Sequence, residues 1–226
     1  MASTSIGNLT LMVITITVLM MMGLISVSHS SDPDATEDFC VADLRKSPRS
    51  SNSFPCKPTS QVTADDFVYS GLTKEGNITN HFGFFATVGN VNAFPALNTL
   101  GLSVNRVDYA PAAVNPPHTH PRATELITVI HGKLLIGMVT SEGELFSKVV
   151  EKDEVFVVPR GLLHFQHNVG KGKARTHSVF NSQKPGFISS PFGLFGSVPT
   201  IPDEVLAKSF LLDIGVVQEI KAKLNK

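Results

Sequence analysis

The sequence has little charge and no excess of either sign. Lys and Arg together number 19, and Asp and Glu together also number 19, in a chain of 226 residues. Proteins that bind nucleic acid or an anionic membrane surface concentrate positive charge in a patch or a tail. The balance gives no sign of nucleic acid or a membrane as a partner and leaves a small molecule as a possible substrate. With 42% hydrophobic residues, the chain has the composition of a folded globular protein.

Charged side chains are absent from the first 30 residues. Leu11 to Val27 is apolar except for two Thr, one Ser and one Gly, and the small residues of Ser28-His29-Ser30 follow. This pattern predicts a secretory signal peptide over residues 1–30, cleaved so that the mature protein begins near Ser31 and is extracellular. Because the apolar run approaches the roughly 20 residues that span a bilayer, an uncleaved membrane anchor is the alternative.

Cysteine is scarce, which limits the chain to one disulfide. Cys40 and Cys56 lie in a Pro- and Ser-rich stretch with little periodicity. Export to an oxidising compartment favours a disulfide between them, and two free buried thiols are the alternative. Asn77-Ile78-Thr79 is an acceptor sequon for N-glycosylation in a secreted chain, unless the triplet occurs by chance.

Short apolar or alternating runs, separated by turn residues, fill the chain from Asn80 to Phe187. They are Leu100–Tyr109, Leu126–Ile130, Leu134–Val139, Leu145–Val150, Val155–Val158 and Arg175–Phe180. Runs of this length, rich in Val, Ile and Phe, predict an all-β antiparallel barrel or sandwich.

Helical periodicity occurs only near the C-terminus. One helix is predicted from Pro202 through Leu212 and a second from Asp213 to Leu224, with Ile214, Val217, Ile220 and Leu224 on one stripe. The pair could cap the β domain or pack on a neighbouring subunit. The Pro-, Gly- and Phe-rich segment 185–202 is predicted to be a packed loop. The predicted organisation is an extension over 31–79, a β domain over 80–200 and a helical segment over 201–226.

Histidine supplies the strongest functional pattern. His118 and His120 are two residues apart, so on an extended strand they face the same way, roughly 6.6 Å apart along the strand. Glu125 lies an odd number of positions after His120 and would face away, but a bend at Pro121 can return it to the same side. His164 must come from another strand. The alternative for the His-x-His pair alone is two exposed loop histidines.

Three imidazoles and one carboxylate, without a thiolate, suit manganese, iron, zinc, copper or nickel by donor type. Four protein ligands around zinc would make a closed structural site. A six-coordinate ion would keep two positions for water, substrate or dioxygen. Ligand chemistry alone does not choose between them.

The residues around the histidines extend the pattern. The run from Asn115 to Glu125 (NPPHTHPRATE), followed by Gly132, resembles the first cupin motif in its germin form, and the run from Pro159 to Asn168 (PRGLLHFQHN) resembles the second. Segments 38–43, 98–101 and 180–183 agree, so the resemblance to the germin family covers the whole mature chain.

This resemblance implies a jelly-roll β-barrel of the cupin type with one manganese ion. The implied ligands are His118, His120, Glu125 and His164. It also implies that Cys40 pairs with Cys56, and that the subunits form a hexamer, a trimer of dimers locked by the C-terminal helices. A plant protein of the apoplast, acting in defence or in cell-wall peroxide chemistry, is the expected biological setting.

Two positions depart from the family pattern. Ala112 and Asp153 replace glycines at turns before strands, where glycine usually serves a positive φ. Asp tolerates that conformation better than Ala, so the Ala112-Ala113 turn is the one expected to be rearranged.

The resemblance offers two reactions: oxidation of oxalate by dioxygen to carbon dioxide and hydrogen peroxide, or superoxide dismutation. In germins with oxalate oxidase activity two asparagines orient the substrate, and the matching residues are Asn105 and Asn115. From the residues alone, Asn115 could instead be a turn residue and Asn105 an outward strand position. A non-enzymatic binding or structural protein is the competing class. His81, His131, His167 and His177 match no ligand position and are expected at the surface or behind the ligands.

Overall fold

The computed structural model describes residues 37–47 and 52–224. The predicted signal peptide, and with it the alternative anchor, lies outside the described residues. Within the described part of the chain, no helix combines the length and the apolar character needed to cross a membrane.

Within the described residues, ten strands form two five-stranded antiparallel sheets, with strand orders β1-β2-β9-β4-β7 and β10-β3-β8-β5-β6. The strands are β1 (Phe84–Gly89), β2 (Ser103–Tyr109), β3 (Val114–Thr119), β4 (Glu125–His131), β5 (Lys133–Val139), β6 (Leu145–Glu151), β7 (Val155–Val158), β8 (Leu163–Asn168), β9 (Ala174–Phe180) and β10 (Ile188–Ser189). Four short 3-10 helices lie among the described residues before β2: Thr59–Gln61, Ala64–Phe67, Gly71–Thr73 and Pro95–Leu97. The expected all-β jelly-roll fold is confirmed.

The core lies between the two sheets because alternate side chains of facing strands point inward. Val107 and Tyr109 of β2 and Ile127 of β4 face Leu134 and Ile136 of β5, and all are buried. Each such side chain contributes about 1.5–3 kcal/mol of burial free energy, so this layer fixes which face of every strand is internal.

The start of one strand and the structure of one predicted loop differ from the sequence prediction. Strand β2 begins at Ser103 and not at Leu100, because Thr99 and Gly101 adopt positive φ angles of 69° and 65° that break the extended run. The prediction of a loop over 185–202 is wrong in part, since this segment contains β10 and helix α1 (Ser190–Phe195). Pro191 lies in the first turn of α1, where backbone N–H groups have no partner within the helix, so the missing N–H of proline costs no helical hydrogen bond.

Two further helices follow, α2 (Asp203–Phe210) and α3 (Ile214–Leu224). The predicted stripe of α3 packs within its own chain: Val217 is fully buried, and Ile220 and Leu224 pack on the same cluster, which also contains Phe195 and Leu206. Ile214, at the start of the stripe, stays 50% exposed.

The N-terminal extension is tied to the β domain by polar contacts. Cys40 and Cys56 form a disulfide, as expected. The side chain of Asn98, which is fully buried, accepts a hydrogen bond from the Phe54 N–H and donates one to the Phe54 carbonyl. Farther along, the buried ion pair of Arg106 with Asp108 holds residues 72–76 against β2.

The turn at Ala112 keeps the conformation that glycine would have. Ala112 has a φ of 58° and Asp153 a φ of 69°. Pro111 and Ala112 occupy the centre of a turn that the Ala113 N–H closes on the Ala110 carbonyl at 3.1 Å. The expected rearrangement of this turn is therefore wrong, and the turn holds an alanine in the left-handed region.

Replacing Ala112 by glycine should stabilise the protein, because the left-handed conformation costs a residue with a Cβ about 1 kcal/mol. The flexibility that glycine adds to the unfolded chain offsets part of this gain. Urea unfolding of Ala112→Gly should give a higher midpoint than the parent protein. The neighbouring Ala113→Gly is the matched control, and it should lower the midpoint because the Ala113 side chain is 3% exposed and packs in the core. A lower midpoint for Ala112→Gly would contradict this account of the turn.

Candidate metal centre

The four side chains singled out in the sequence meet inside the barrel. One possible ligand atom from each of His118, His120, Glu125 and His164 lies within 4.8 Å of the others. All four residues are buried, with exposed fractions of 1%, 6%, 4% and 1%. His118 lies in β3, His120 directly follows the last residue of β3, and His164 lies in β8 of the same sheet. The first residue of β4 in the other sheet supplies the carboxylate.

A β-bulge in β3 aligns the site. Asn115 pairs with Gln166 and His118 pairs with His164, so three steps along β3 match two along β8. The extra residue falls at Pro116-Pro117, where the missing backbone N–H groups cannot complete the ladder. Asn115 and His118, although three positions apart, therefore share the inward face.

The bend predicted at Pro121 is present. A turn at Pro121 and Arg122 carries the chain from the end of β3 to the start of β4 in the opposite sheet, where Glu125 pairs with Val158 and Phe180. The Arg122 N–H donates to the Pro185 carbonyl at 3.0 Å, which fixes the turn against a distant loop.

Each histidine ring is held by a backbone carbonyl. Nδ1 lies 2.8 Å from the Pro116 carbonyl in His118, 2.6 Å from the Gly186 carbonyl in His120 and 2.9 Å from the Leu162 carbonyl in His164. Because a carbonyl only accepts hydrogen bonds, Nδ1 is the protonated nitrogen of each ring, and the Nε2 lone pair is left for the centre of the cluster.

The electrostatics favour deprotonated ligands. Burial, reinforced by the neighbouring His164, lowers the pKa of His118 to about 3. Burial alone would raise the pKa of Glu125, but the close contacts of its carboxylate with His120 and His164 hold it below its ordinary value. At neutral pH the centre therefore contains the Glu125 carboxylate and the neutral imidazole of His118, which are forms that bind a metal.

The contacts at the carboxylate fit a bound cation. Oε2 of Glu125 lies 3.0 Å from Nε2 of His164 and 3.4 Å from Nε2 of His120. Since the Nδ1 atoms carry the ring protons, a neutral imidazole turns only a lone pair toward this oxygen. Without an ion, the contact requires a second proton on one of the rings, and a divalent cation removes that need.

Asn105 and Asn115 also lie on inward faces. Asn105 alternates with the buried Val107 and Tyr109, so the alternative of an outward position is wrong. Asn115 donates through Nδ2 to Oε1 of Gln166 at 2.7 Å. The side-chain oxygens of both asparagines are buried and accept no hydrogen bond from the described residues. Sequence reasoning missed Gln166, which is 2% exposed and holds Asn115 in place.

A cavity of about 650 Å³ opens beside the cluster. His120 and Asn105 line it, together with the aromatic side chains of Phe82, Phe84 and Phe187. The other histidines of the described residues stay outside the cluster: His81 and His131 are exposed, whereas His167 and His177 are partly buried. The arrangement is thus a buried donor set with an apolar approach on one side.

Comparison with known proteins agrees with this geometry. The family model described as Cupin matches residues 70–218. Germin-like protein 3-7 of Oryza sativa subsp. japonica is 48% identical over 226 residues, which cover 97% of this chain and 96% of the relative. Germin-like protein subfamily T member 2 of Arabidopsis thaliana is 54% identical over 196 residues, covering 87% and 88%. The chain belongs to the germin-like proteins of the cupin family.

Among solved structures, a recombinant oxalate oxidase in complex with glycolate matches this germin-like protein with a TM-score of 0.83 and 49% identity. The match covers 85% of this chain and 98% of that structure. The shared fold and the buried donor set agree with a metal-binding cupin. The donors themselves accept any of several divalent metals.

Removing one donor should abolish metal binding without disturbing the strand that carries it. His164→Gln is expected to lower the bound metal from about one ion per chain by tenfold or more under dialysis, because loss of a single donor weakens a site of this kind strongly. His167→Gln, on the same strand and outside the cluster, is the matched control and should retain the metal. Elemental analysis of both proteins measures the difference, and full occupancy in His164→Gln would exclude this ligand set.

The metal-free protein should lose stability in acid because of His118. Its pKa in the folded protein is about 3, below the ordinary value of 6.5, so between these two pH values His118 is protonated in the unfolded chain and neutral in the folded chain. The contribution of His118 is fully present above pH 6.5 and declines as the pH falls toward 3. Denaturant unfolding of the metal-free protein across this range, compared with His118→Gln, should show a flatter profile for the variant. If stability changed with pH in the same way in both proteins, His118 would not be the group responsible for the loss.

Proposed function

We propose that the protein is a secreted, manganese-dependent oxidoreductase that oxidises oxalate with dioxygen. Oxalate, dioxygen and two protons give two molecules of carbon dioxide and one of hydrogen peroxide; the carbon–carbon bond breaks and its two electrons pass to dioxygen. The observation that carries the proposal is the inward-facing donor set of His118, His120, Glu125 and His164, next to two asparagine amides with unused hydrogen-bonding capacity.

Manganese, when bound, would supply a redox-capable centre with coordination positions open to substrate. The donor set permits this ion but does not select it, since divalent manganese is the weakest binder of its series. The support for manganese is the germin form of the ligand motifs in residues 115–125 and 159–168.

The chain's own residues would bind and orient the substrate. An amide side chain offers both a donor and an acceptor without adding charge, so Asn105 and Asn115 can hold an oxalate carboxylate or a water beside it. Gln166 fixes the Asn115 amide, and Phe187, whose ring centroid is 4.9 Å from that of His118, covers the ligands with an apolar wall. Excluding water from this side strengthens every polar contact within the site.

The setting is proposed with the function. The leader over residues 1–30 would direct secretion to the apoplast, and Asn77, which is exposed, would be open to glycosylation. Phe210 and Ile214, with exposed fractions of 46% and 50%, offer apolar surface on the C-terminal helices for contact with other copies in a hexamer. Peroxide released there would serve defence or cell-wall chemistry.

Peroxide production from oxalate tests the function. Secreted protein with its manganese quantified should release hydrogen peroxide when oxalate is added. Asn105→Ala and Asn115→Ala should retain the metal and lose on the order of tenfold to a hundredfold in turnover, because the substrate is no longer oriented. Asn92→Ala, at an exposed loop position, is the control and should match the parent protein.

No oxalate turnover at full manganese occupancy would overturn the proposal. A superoxide dismutation assay on the same sample would then test the alternative activity. Inactivity in both assays would favour a non-enzymatic role.

A further inference from the structure

Met138 lies directly beside one of the metal-site histidines. It is in β5, where it pairs with His164 of β8 in a ladder without register shifts. Directly opposed residues have Cβ atoms about 5 Å apart. Met138 shares the inward face with Leu134 and Ile136, which are fully buried four and two positions earlier. Its thioether is therefore directed toward the interior at the level of the ligands.

Thioethers are otherwise confined to the start of the chain. The sequence has six methionines, and five of them, at positions 1, 12, 20, 21 and 22, lie in the predicted leader. Tryptophan is absent, and both cysteines are joined in the disulfide. After residue 22, Met138 is thus the one sulfur atom open to oxidation by a two-electron oxidant.

We propose that Met138 is a modification site of this protein, oxidised to the sulfoxide by hydrogen peroxide at the metal centre. The inference rests on the proposed function only for the source of peroxide, and superoxide dismutation would supply the same oxidant. The sulfur lone pair attacks one peroxide oxygen, the O–O bond breaks and an S–O bond forms. The displaced hydroxide takes the remaining proton and leaves as water, so sulfur is oxidised by two electrons.

Position makes this side chain the expected target. Peroxide formed at the cluster meets Met138 before it is diluted in solution, and Met138 is only partly exposed to bulk solvent. Proximity of this kind raises the effective concentration of a reactant strongly. The product is a polar sulfoxide next to His164, in place of an apolar and flexible side chain.

A relocated methionine provides the matched control. Met138→Leu removes the sulfur and preserves the volume. Adding Leu135→Met to this variant returns one thioether to the same strand on its outer face, where residue 135 is also partly exposed. The parent protein and the double variant, both loaded with manganese, are given oxalate, and peptide mass spectrometry measures the added oxygen at position 138 or 135.

We compare the rate of sulfoxide formation at position 138 of the parent protein with the rate at position 135 of the double variant. The first rate should be on the order of tenfold higher. Equal rates, or an unmodified Met138 while peroxide accumulates in solution, would overturn the proposal. If oxalate yields no peroxide, the proposed function has failed, and a second arm decides this inference. Superoxide is then supplied to both manganese-loaded proteins, because its dismutation at the same centre would form peroxide there. Faster oxidation at 138 than at 135 supports the site, and equal rates or an unmodified Met138 reject it.

Discussion

The hydrogen bonds between histidine Nδ1 atoms and backbone carbonyls are the constraint on which the rest of the site depends. They fix the orientation and the tautomer of three rings, so that each Nε2 lone pair points to one place. For His118 and His164 the carbonyl belongs to the residue two positions earlier, and the restraint is local. For His120 it belongs to Gly186, which links the loop after β9 to the centre. The backbone thus prepares the metal site before any ion is present.

The donor set is completed only when the two sheets pack together. His118 and His164 belong to one sheet and His120 directly follows a strand of that sheet, whereas Glu125 begins a strand of the other. Burying Val107, Ile127 and Leu134 between the sheets therefore also closes the site. The buried carboxylate is tolerated because it has partners, and this is the reason that the pKa of Glu125 stays low in an apolar interior.

Local periodicity accounts for much of what the sequence could predict. The strands from β4 to β7, the shared face of His118 and His120, and the bend after Pro121 follow from spacing and from proline stereochemistry. The features that the sequence could not predict depend on contacts between distant residues. The bulge at Pro116-Pro117, which turns Asn115 inward, depends on its pairing with β8. Helix α1 forms in a segment rich in Pro and Gly because Phe195 gains burial against α2 and α3, a gain that local propensity does not express.

The most direct test of the central claim is anomalous X-ray diffraction from crystals of the protein, recorded on both sides of the manganese absorption edge. The account predicts one manganese peak per chain, within bonding distance of Nε2 of His118, His120 and His164 and of one Glu125 oxygen, with positions left open toward Asn105. A peak from zinc in a closed four-ligand site, coordination through Nδ1, or an empty cluster would contradict it.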